Sequence, residues 1–517
     1  MVSTSRRGFL RGMAGASLFG AGGCLSGFST ARKPGQKIRL AAVGIWGKGY
    51  SDWMPMMKSG QCELVALCDV DGSYRKNIAE KADFKQLGID LGRIPFYSDY
   101  RRLLDDAEKL GIDAMTVSTT DHMHAPIAIS AMKKGIHVYV QKPLVRTLWE
   151  LDYFKKTAKD NGVVTQMGNQ GSSLEGLRRG VEVLNSGILG DVTEVHVWTN
   201  RPVWPQGKNA GTITQGGADK IPADFNWDCW LGTAKERPFK GDIPENVKVH
   251  NPWNIGRHVY HPFNWRGYFD FGCGAFGDMA CHTMNLPFRG LELGIVTKAE
   301  LKLIEDKDPL NIAFPMKTTV ALTYAARESK VRPGVKLPAV RLYWYDGDQQ
   351  PSAELMPQVV AAQGKVPRTG CLVVGSKGIL CSTNDYGGDS FLALNDEKKV
   401  LNVKDHPACK GIAHTIPYRG DSVAGQASGP GAKAVSADGQ YIEFLDAIRG
   451  NGPVYAATGS RAYSDVDYSI PQMEGILVGV TAQRVGGTLY WSSKNQRFDR
   501  SDANDLIKPY IRKGFEF

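Results

Sequence analysis

Short apolar runs alternate with stretches of helical charge pattern over the first third of the chain. IRLAAV (38–43), ELVALC (63–68), DAMTVS (113–118), IHVYV (136–140) and VVTQM (163–167) are rich in Val, Ile and Leu and do not alternate strictly. That pattern predicts strands covered on both faces in a parallel sheet. The intervening segments 73–82 and 100–110 read as helices, and the βαβ rhythm predicts a doubly wound α/β fold, a Rossmann domain over 36–167. After Asn169 the period changes. TEVHVWT (193–199), TTVALTY (318–324) and VRLYWY (340–345) alternate apolar with polar positions, as in an antiparallel sheet with one covered face. Residues 168–517 are therefore expected to form a second, α+β domain. Within it, 201–270 is irregular and rich in Pro, Gly and Trp, 410–436 reads as a long Gly/Ser-rich surface loop, and 441–449 and 473–485 read as helices.

Composition changes this picture little. A chain of 517 residues, 42% apolar and 22% charged, is an ordinary globular protein large enough for two domains. The first 33 residues differ in kind. Ser5-Arg6-Arg7-Gly8-Phe9-Leu10 resembles a twin-arginine export motif, and a Gly/Ala-rich run over 12–23 ends at Cys24. That run is too short and too glycine-rich to span a bilayer stably. Ala21-Gly22-Gly23-Cys24 looks like a lipoprotein cleavage box, without the usual leucine three residues before the cysteine. The expected location is the periplasm or, if Cys24 carries lipid, the cell envelope. Twin-arginine export moves folded proteins, which points to a tightly held cofactor. Setting aside Arg6, Arg7 and Arg11 takes the net charge from +10 to +7, spread thinly, so no nucleic-acid partner is implied. The other eight cysteines form no CxxC pair, and most read as small buried apolar residues.

The candidate chemistry sits at strand ends. The first strand runs into Gly44-Ile45-Trp46-Gly47-Lys48-Gly49, a turn whose backbone N–H groups at a helix start suit a pyrophosphate. Asp69, closing the second strand, lies where a carboxylate accepts hydrogen bonds from an adenosine ribose and repels a 2′-phosphate, so NAD is favoured over NADP. Gln141-Lys142-Pro143 follows another strand and aims a cation at the same crevice. Asp278 and His282 stand four residues apart on one helix face, where a histidine can take a hydroxyl proton and a carboxylate can orient it. On spacing alone this pair also fits a helix surface. Six tryptophans lie over 198–265. Arg201, Trp204, Gln206, His261, Asn264, Trp265 and Arg266 supply the aromatic faces and hydrogen-bonding groups that a sugar ring uses. His258, His261, Cys273 and Cys281 match no common zinc spacing, so no metal site is expected.

The glycine turn with Asp69, the TTDHMH segment (119–124), Gln141-Lys142-Pro143 and Asp278-xxx-His282 together resemble the glucose–fructose oxidoreductase/inositol dehydrogenase (Gfo/Idh/MocA) family. NRPVWPQG (200–207) and HPFNWRGYFDFGCGAFGDMACH (261–282) look like a bacterial, often exported, branch of it. The resemblance implies an N-terminal Rossmann domain, a C-terminal domain on a large, mainly antiparallel sheet, and a homo-oligomer. It assigns catalysis to Lys142, Asp278 and His282. The cofactor falls to Gly44, Trp46, Gly47, Lys48, Gly49, Asp69, Thr119, Asp121, His124, Gln141, Lys142 and Gln170. Two positions depart from the family pattern: Gln141 replaces a glutamate, and Thr120 a common proline. The expected activity is NAD-dependent hydride transfer at a hydroxyl of a sugar or glycoside. Two alternatives stand beside it. One is a redox-neutral glycosidase, in which transient oxidation at C3 acidifies the C2 proton and elimination cleaves the glycosidic bond. The other is a non-catalytic nucleotide-binding sensor.

Overall fold

β1 (Ile38–Val43) buries every side chain except the half-buried Arg39, as a strand covered on both faces must. It lies inside a six-stranded parallel sheet with β2 (Cys62–Cys68), β3 (Phe96–Tyr97), β4 (Ala114–Val117), β5 (His137–Val140) and β6 (Thr165–Met167), in the order β3-β2-β1-β4-β5-β6. The order reverses between β1 and β4, so the loops leaving those strands diverge and open a crevice at their carboxyl ends. The computed structural model describes residues 35–419 and 438–517. The expectations resting on Arg6, Arg7, Arg11 and Cys24, and on the 410–436 loop beyond Arg419, lie outside the described residues. Two helix boundaries differ from the sequence reading. The 100–110 helix divides at Asp106 into Tyr100–Asp105 and Ala107–Leu110. The last long helix starts at Val466, seven residues early, because Asp465 accepts the Tyr468 N–H (3.1 Å) and caps a turn that precedes Pro471.

The second sheet has ten strands. β7 (Val192–Trp198), β8 (Val296–Glu305) and β9 (Lys317–Tyr324) are followed by a small separate pair, β10 (Arg327–Glu328) and β11 (Lys336–Leu337). Then come β12 (Val340–Tyr345), β13 (Gly370–Gly375), β14 (Gly378–Ser382), β15 (Ser390–Leu394), β16 (Leu401–Asn402), β17 (Thr488–Ser492) and β18 (Arg497–Phe498). The order is β16-β15-β14-β13-β7-β12-β9-β8-β17-β18, antiparallel throughout except where β12 pairs with β7. β12 shows the expected alternation: Val340, Leu342 and Trp344 are buried, while Arg341, Tyr343 and Tyr345 are half-buried.

The helix Val466–Val485 packs on β8 and β9 and against the helix Gly274–Thr283. Two glycines four residues apart on it admit large rings. A Cβ at Gly475 would stand 2.1 Å from the Tyr324 hydroxyl, and one at Gly479 2.3 Å from the Phe276 ring. Phe276 in turn stacks on Trp344 of β12, with centroids 4.5 Å apart and planes 4° apart. Both rings are fully buried, and a contact of this kind is worth on the order of 3–5 kcal/mol against truncation to alanine. It fixes the helix that carries Asp278 and His282. All eight described cysteines are free and buried, matching their reading as small apolar residues. Among the described residues no helix is long and apolar enough to cross a membrane.

Candidate active site

The turn after β1 is built for close approach. Gly44 has φ +75°, and a Cβ there would lie 2.3 Å from the Ser118 carbonyl oxygen at the end of β4. At Gly49 a Cβ would stand 1.7 Å from the Gly44 carbonyl oxygen. Side chains are thus excluded where the turn folds back on itself, while the position of a Gly47 Cβ is open and the helix Lys48–Lys58 begins beside it. This is the cradle that a pyrophosphate requires, so the residues present fit a dinucleotide. Asp69 closes β2 and accepts the backbone N–H groups of Ile45 (2.8 Å) and Asp71 (3.0 Å). Burial pushes its carboxyl up to about 6 against those two hydrogen bonds. Each carboxylate oxygen keeps lone pairs for ribose hydroxyls.

A pH prediction follows from that shift. Ribose hydroxyls donate best to the ionised carboxylate, so NAD affinity of cofactor-free protein is expected to rise from pH 5 to 7 as Asp69 ionises. Asp69→Asn should flatten this slope, and Asp69→Ala should also narrow the preference over NADP. Calorimetric titration across that range checks it, and a wild-type affinity independent of pH would remove Asp69 from the ribose site. Stability runs the other way. The unfolded carboxyl ionises near 3.8 and the folded one near 6, so the native state binds more protons between them and loses stability as pH rises through that window.

Further along the crevice, Lys142 follows β5 and donates from Nζ to the Asp278 carboxylate (2.8 Å) and backbone carbonyl (2.9 Å). Arg266 Nε donates to the same carboxylate oxygen at 3.2 Å. Burial alone would raise the Asp278 carboxyl, but the Lys142 and Arg266 cations hold it well below the usual carboxylate range. His282 is buried beside them, its ring edge-on to Tyr386 (centroids 4.9 Å). Burial and then the Lys142 ammonium push its proton affinity well below that of an ordinary histidine, so it is neutral at pH 7. The expected Asp278–His282 contact is not made: the carboxylate is taken by the two cations, and His282 Nδ1 is buried with no partner among the described residues. Asp121 opens the helix Asp121–Met132, accepts the Cys273 N–H (3.0 Å), and is pushed up to about 7 by burial.

One cavity of about 810 Å³ joins these groups. It is lined by Gly44, Trp46, Gly47, Lys48, Asp69, Thr119, Asp121, Gln141, Lys142, Gln170, Arg201, Trp204, His261, Trp265, Arg266, Asp278 and His282. Arg201 is pinned by Asp385 (3.1 Å) and lies over the Trp253 ring at 4.7 Å. The Arg266 guanidinium lies 4.1 and 4.2 Å from the Phe263 and Trp265 ring centroids. His261 lies at the ribose end, 3.0 Å from the Tyr74 hydroxyl and 3.3 Å from Asp71.

Gly49, under the turn, does not line the cavity, and three more of the expected site residues sit behind the wall, their side chains committed to backbone carbonyls or to a neighbouring side chain. His124 Nδ1 meets the Pro143 carbonyl (2.7 Å) and ties the lysine loop down. Gln206 bridges Trp204 Nε1 (2.8 Å) and the Pro315 carbonyl (2.6 Å). Asn264 donates to the His258 carbonyl (2.6 Å). Conversely, Tyr74, Ser118, Trp253, Phe263 and Tyr386 line the cavity without having been foreseen. Only Trp253 carried a signal, as one of the clustered tryptophans. Buried Asp52, on the helix Lys48–Lys58, was also missed.

A 3-2-1-4-5-6 parallel sheet with a glycine turn and an acid at its switch point, joined to a large mainly antiparallel sheet, defines a dinucleotide-binding fold. Residues 38–169 match the Gfo/Idh/MocA family model described as "Oxidoreductase family, NAD-binding Rossmann fold", and NAD is the cofactor of that fold. The matching fold extends further. The crystal structure of an inositol dehydrogenase homolog from Azotobacter vinelandii, complexed with NADH and myo-inositol, superposes with a TM-score of 0.55 at 18% identity, covering 89% of this chain and 100% of that one. Among curated relatives, Glycosyl hydrolase family 109 protein 2 of Akkermansia muciniphila is 32% identical over 115 residues, 22% of this chain and 24% of that protein. The 2,7-anhydro-N-acetylneuraminate hydratase of Mediterraneibacter gnavus is 26% identical over 162 residues, 31% of this chain and 39% of that protein. The chain thus spans well under half the length of these two relatives.

Proposed function

We propose that this protein uses NAD to transfer hydride at a ring hydroxyl of a sugar or glycoside. The observation that carries this reading is the meeting of Lys142, Asp278 and neutral His282 in the same cavity as the glycine turn and Asp69. Bound NAD supplies the hydride acceptor and donor. The imidazole of His282 takes the substrate hydroxyl proton. The Lys142 ammonium stabilises the developing alkoxide. Asp278, held ionised by two cations, keeps Lys142 aimed at the reacting oxygen and does not serve as the acid. The rings of Trp204, Trp253, Phe263 and Trp265 receive the C–H faces of the sugar.

A second reading, NAD-dependent redox-neutral glycoside cleavage, is favoured by the glycosyl hydrolase family 109 matches. One experiment separates the two. Purified protein without added nucleotide is incubated with glycosides in heavy water. A stable keto-sugar, formed faster when a carbonyl acceptor is present, is the expected outcome. C2-deuterated free sugar with no keto product would overturn the dehydrogenase in favour of the glycosidase. We further propose export through Arg6-Arg7, with the periplasm or envelope as the working location. A twin-lysine variant retained in the cytoplasm supports this, and a wild-type protein found there with residues 1–23 intact overturns it.

A further inference from the structure

We propose that Asp52 is a positioning residue that aims both lysines of the cavity, Lys48 directly and Lys142 through Gln141. Asp52 is fully buried and does not line the cavity, yet its carboxylate collects the groups that do. Lys48 Nζ donates to it at 2.6 Å, Ser118 Oγ at 2.8 Å, and Gln141 Nε2 to both oxygens at 3.0 and 2.9 Å. The Tyr441 hydroxyl reaches the same carboxylate at 2.9 Å from the helix Asp438–Ile448.

The carboxylate decides which way the Gln141 amide faces. With Nε2 on Asp52, Oε1 is left for the Lys142 backbone N–H at 3.3 Å. The flipped amide would set an oxygen against a buried carboxylate and an N–H against an N–H, an arrangement excluded by electrostatics. The line Asp52–Gln141–Lys142–Asp278 therefore runs from the first helix of the parallel sheet to the helix that bears His282. A glutamate at 141 would place two carboxylates in contact, where they share a proton or repel. The charged and titratable groups facing that pair are Lys48, Tyr441, Tyr139 and Lys142.

The test is a swap of the charge between the two positions, read first as NAD affinity of cofactor-free protein by calorimetry. Gln141→Glu is expected to weaken NAD binding by at least about tenfold at pH 8, the equivalent of one pKa unit of mismatch. At pH 5 the deficit relative to wild type should close, because a proton shared by the two carboxylates replaces the amide N–H. The double variant Asp52→Asn/Gln141→Glu keeps one charge and one amide, and should return to within about threefold of wild type at pH 8. Gln141→Glu binding like wild type at pH 8, or a double variant showing the two single losses combined, would overturn the proposal. If Gln141→Glu fails to fold, the double variant decides: folded and binding NAD supports the pairing, unfolded or additive refutes it. The second readout rests on the function proposed above: Asp52→Asn should lower kcat on the hydroxyl substrate with KM little changed. Failure there with the affinity results intact would count against the substrate reading and leave the role of Asp52 standing.

Discussion

Replacing Lys142 with alanine is expected to lower turnover by about two to four orders of magnitude while NAD stays bound. Lys142 Nζ lies 2.8 Å from the Asp278 carboxylate, closer than Arg266 Nε at 3.2 Å, and is the cation that acts most strongly on His282. Its loss removes the charge that steadies an alkoxide. Folding should survive, because Asp278 keeps the Arg266 guanidinium at 3.2 Å and escapes the ~3–5 kcal/mol cost of an unpaired buried charge. His282→Ala should cost a similar factor for another reason, the missing proton acceptor. The two variants differ in pH response: without the acceptor, hydroxide takes over and the residual rate of His282→Ala should climb with pH. Steady-state kinetics, with bound cofactor quantified by mass spectrometry, checks both. A Lys142→Ala protein loaded with NAD and almost fully active would end its part in the mechanism.

The second large effect is expected at Gly49. An alanine methyl there would stand 1.7 Å from the Gly44 carbonyl oxygen and 3.3 Å from Ser118 Cβ, so the turn must open. The N–H groups at the start of the helix Lys48–Lys58 then leave the position where a pyrophosphate binds. Gly49→Ala is expected to purify without NAD and to bind it roughly a hundredfold more weakly, a loss of ~3 kcal/mol. Gly47→Ala is the comparison for strain without a clash: its methyl meets no atom within 4 Å, but φ +60° with ψ −115° lies outside the left-handed region open to alanine, at a cost of about 1–3 kcal/mol. Equal melting temperatures for the two variants would contradict the steric argument.

The parallel sheet was legible because its strands are continuous apolar runs bounded by helical charge patterns, and five of its six strands were foreseen. Two-residue β3 carries no such run. In the second sheet only the alternating strands β7, β9 and β12 were visible. β13, β14 and β15 are three- or four-residue apolar stretches bounded by Gly and Ser, which periodicity cannot distinguish from loop or core. The site shows the same limit. Gly44, Asp69, Lys142, Asp278 and His282 stand at strand ends or on one helix face, where local pattern has a meaning. Asp52 reads as one polar residue on an amphipathic helix, and only the fold brings Gln141 and Tyr441, 89 and 389 residues away, onto its carboxylate. Gln206 and Asn264 erred in the other direction: their polarity serves neighbouring carbonyls, a demand that composition does not reveal.

The burial of every described cysteine carries a consequence beyond packing. A thiol attacks or is oxidised as thiolate, and burial holds Cys62, Cys281 and Cys371 up at about 12. At pH 8 such a thiol stays protonated, and each lies beneath the surface. The eight described cysteines are therefore expected to stay as free thiols in reducing and in oxidising surroundings alike. Thiol-reactive reagents should count these eight cysteines only after the chain is unfolded. A protein built this way can be completed in one redox compartment and put to work in another.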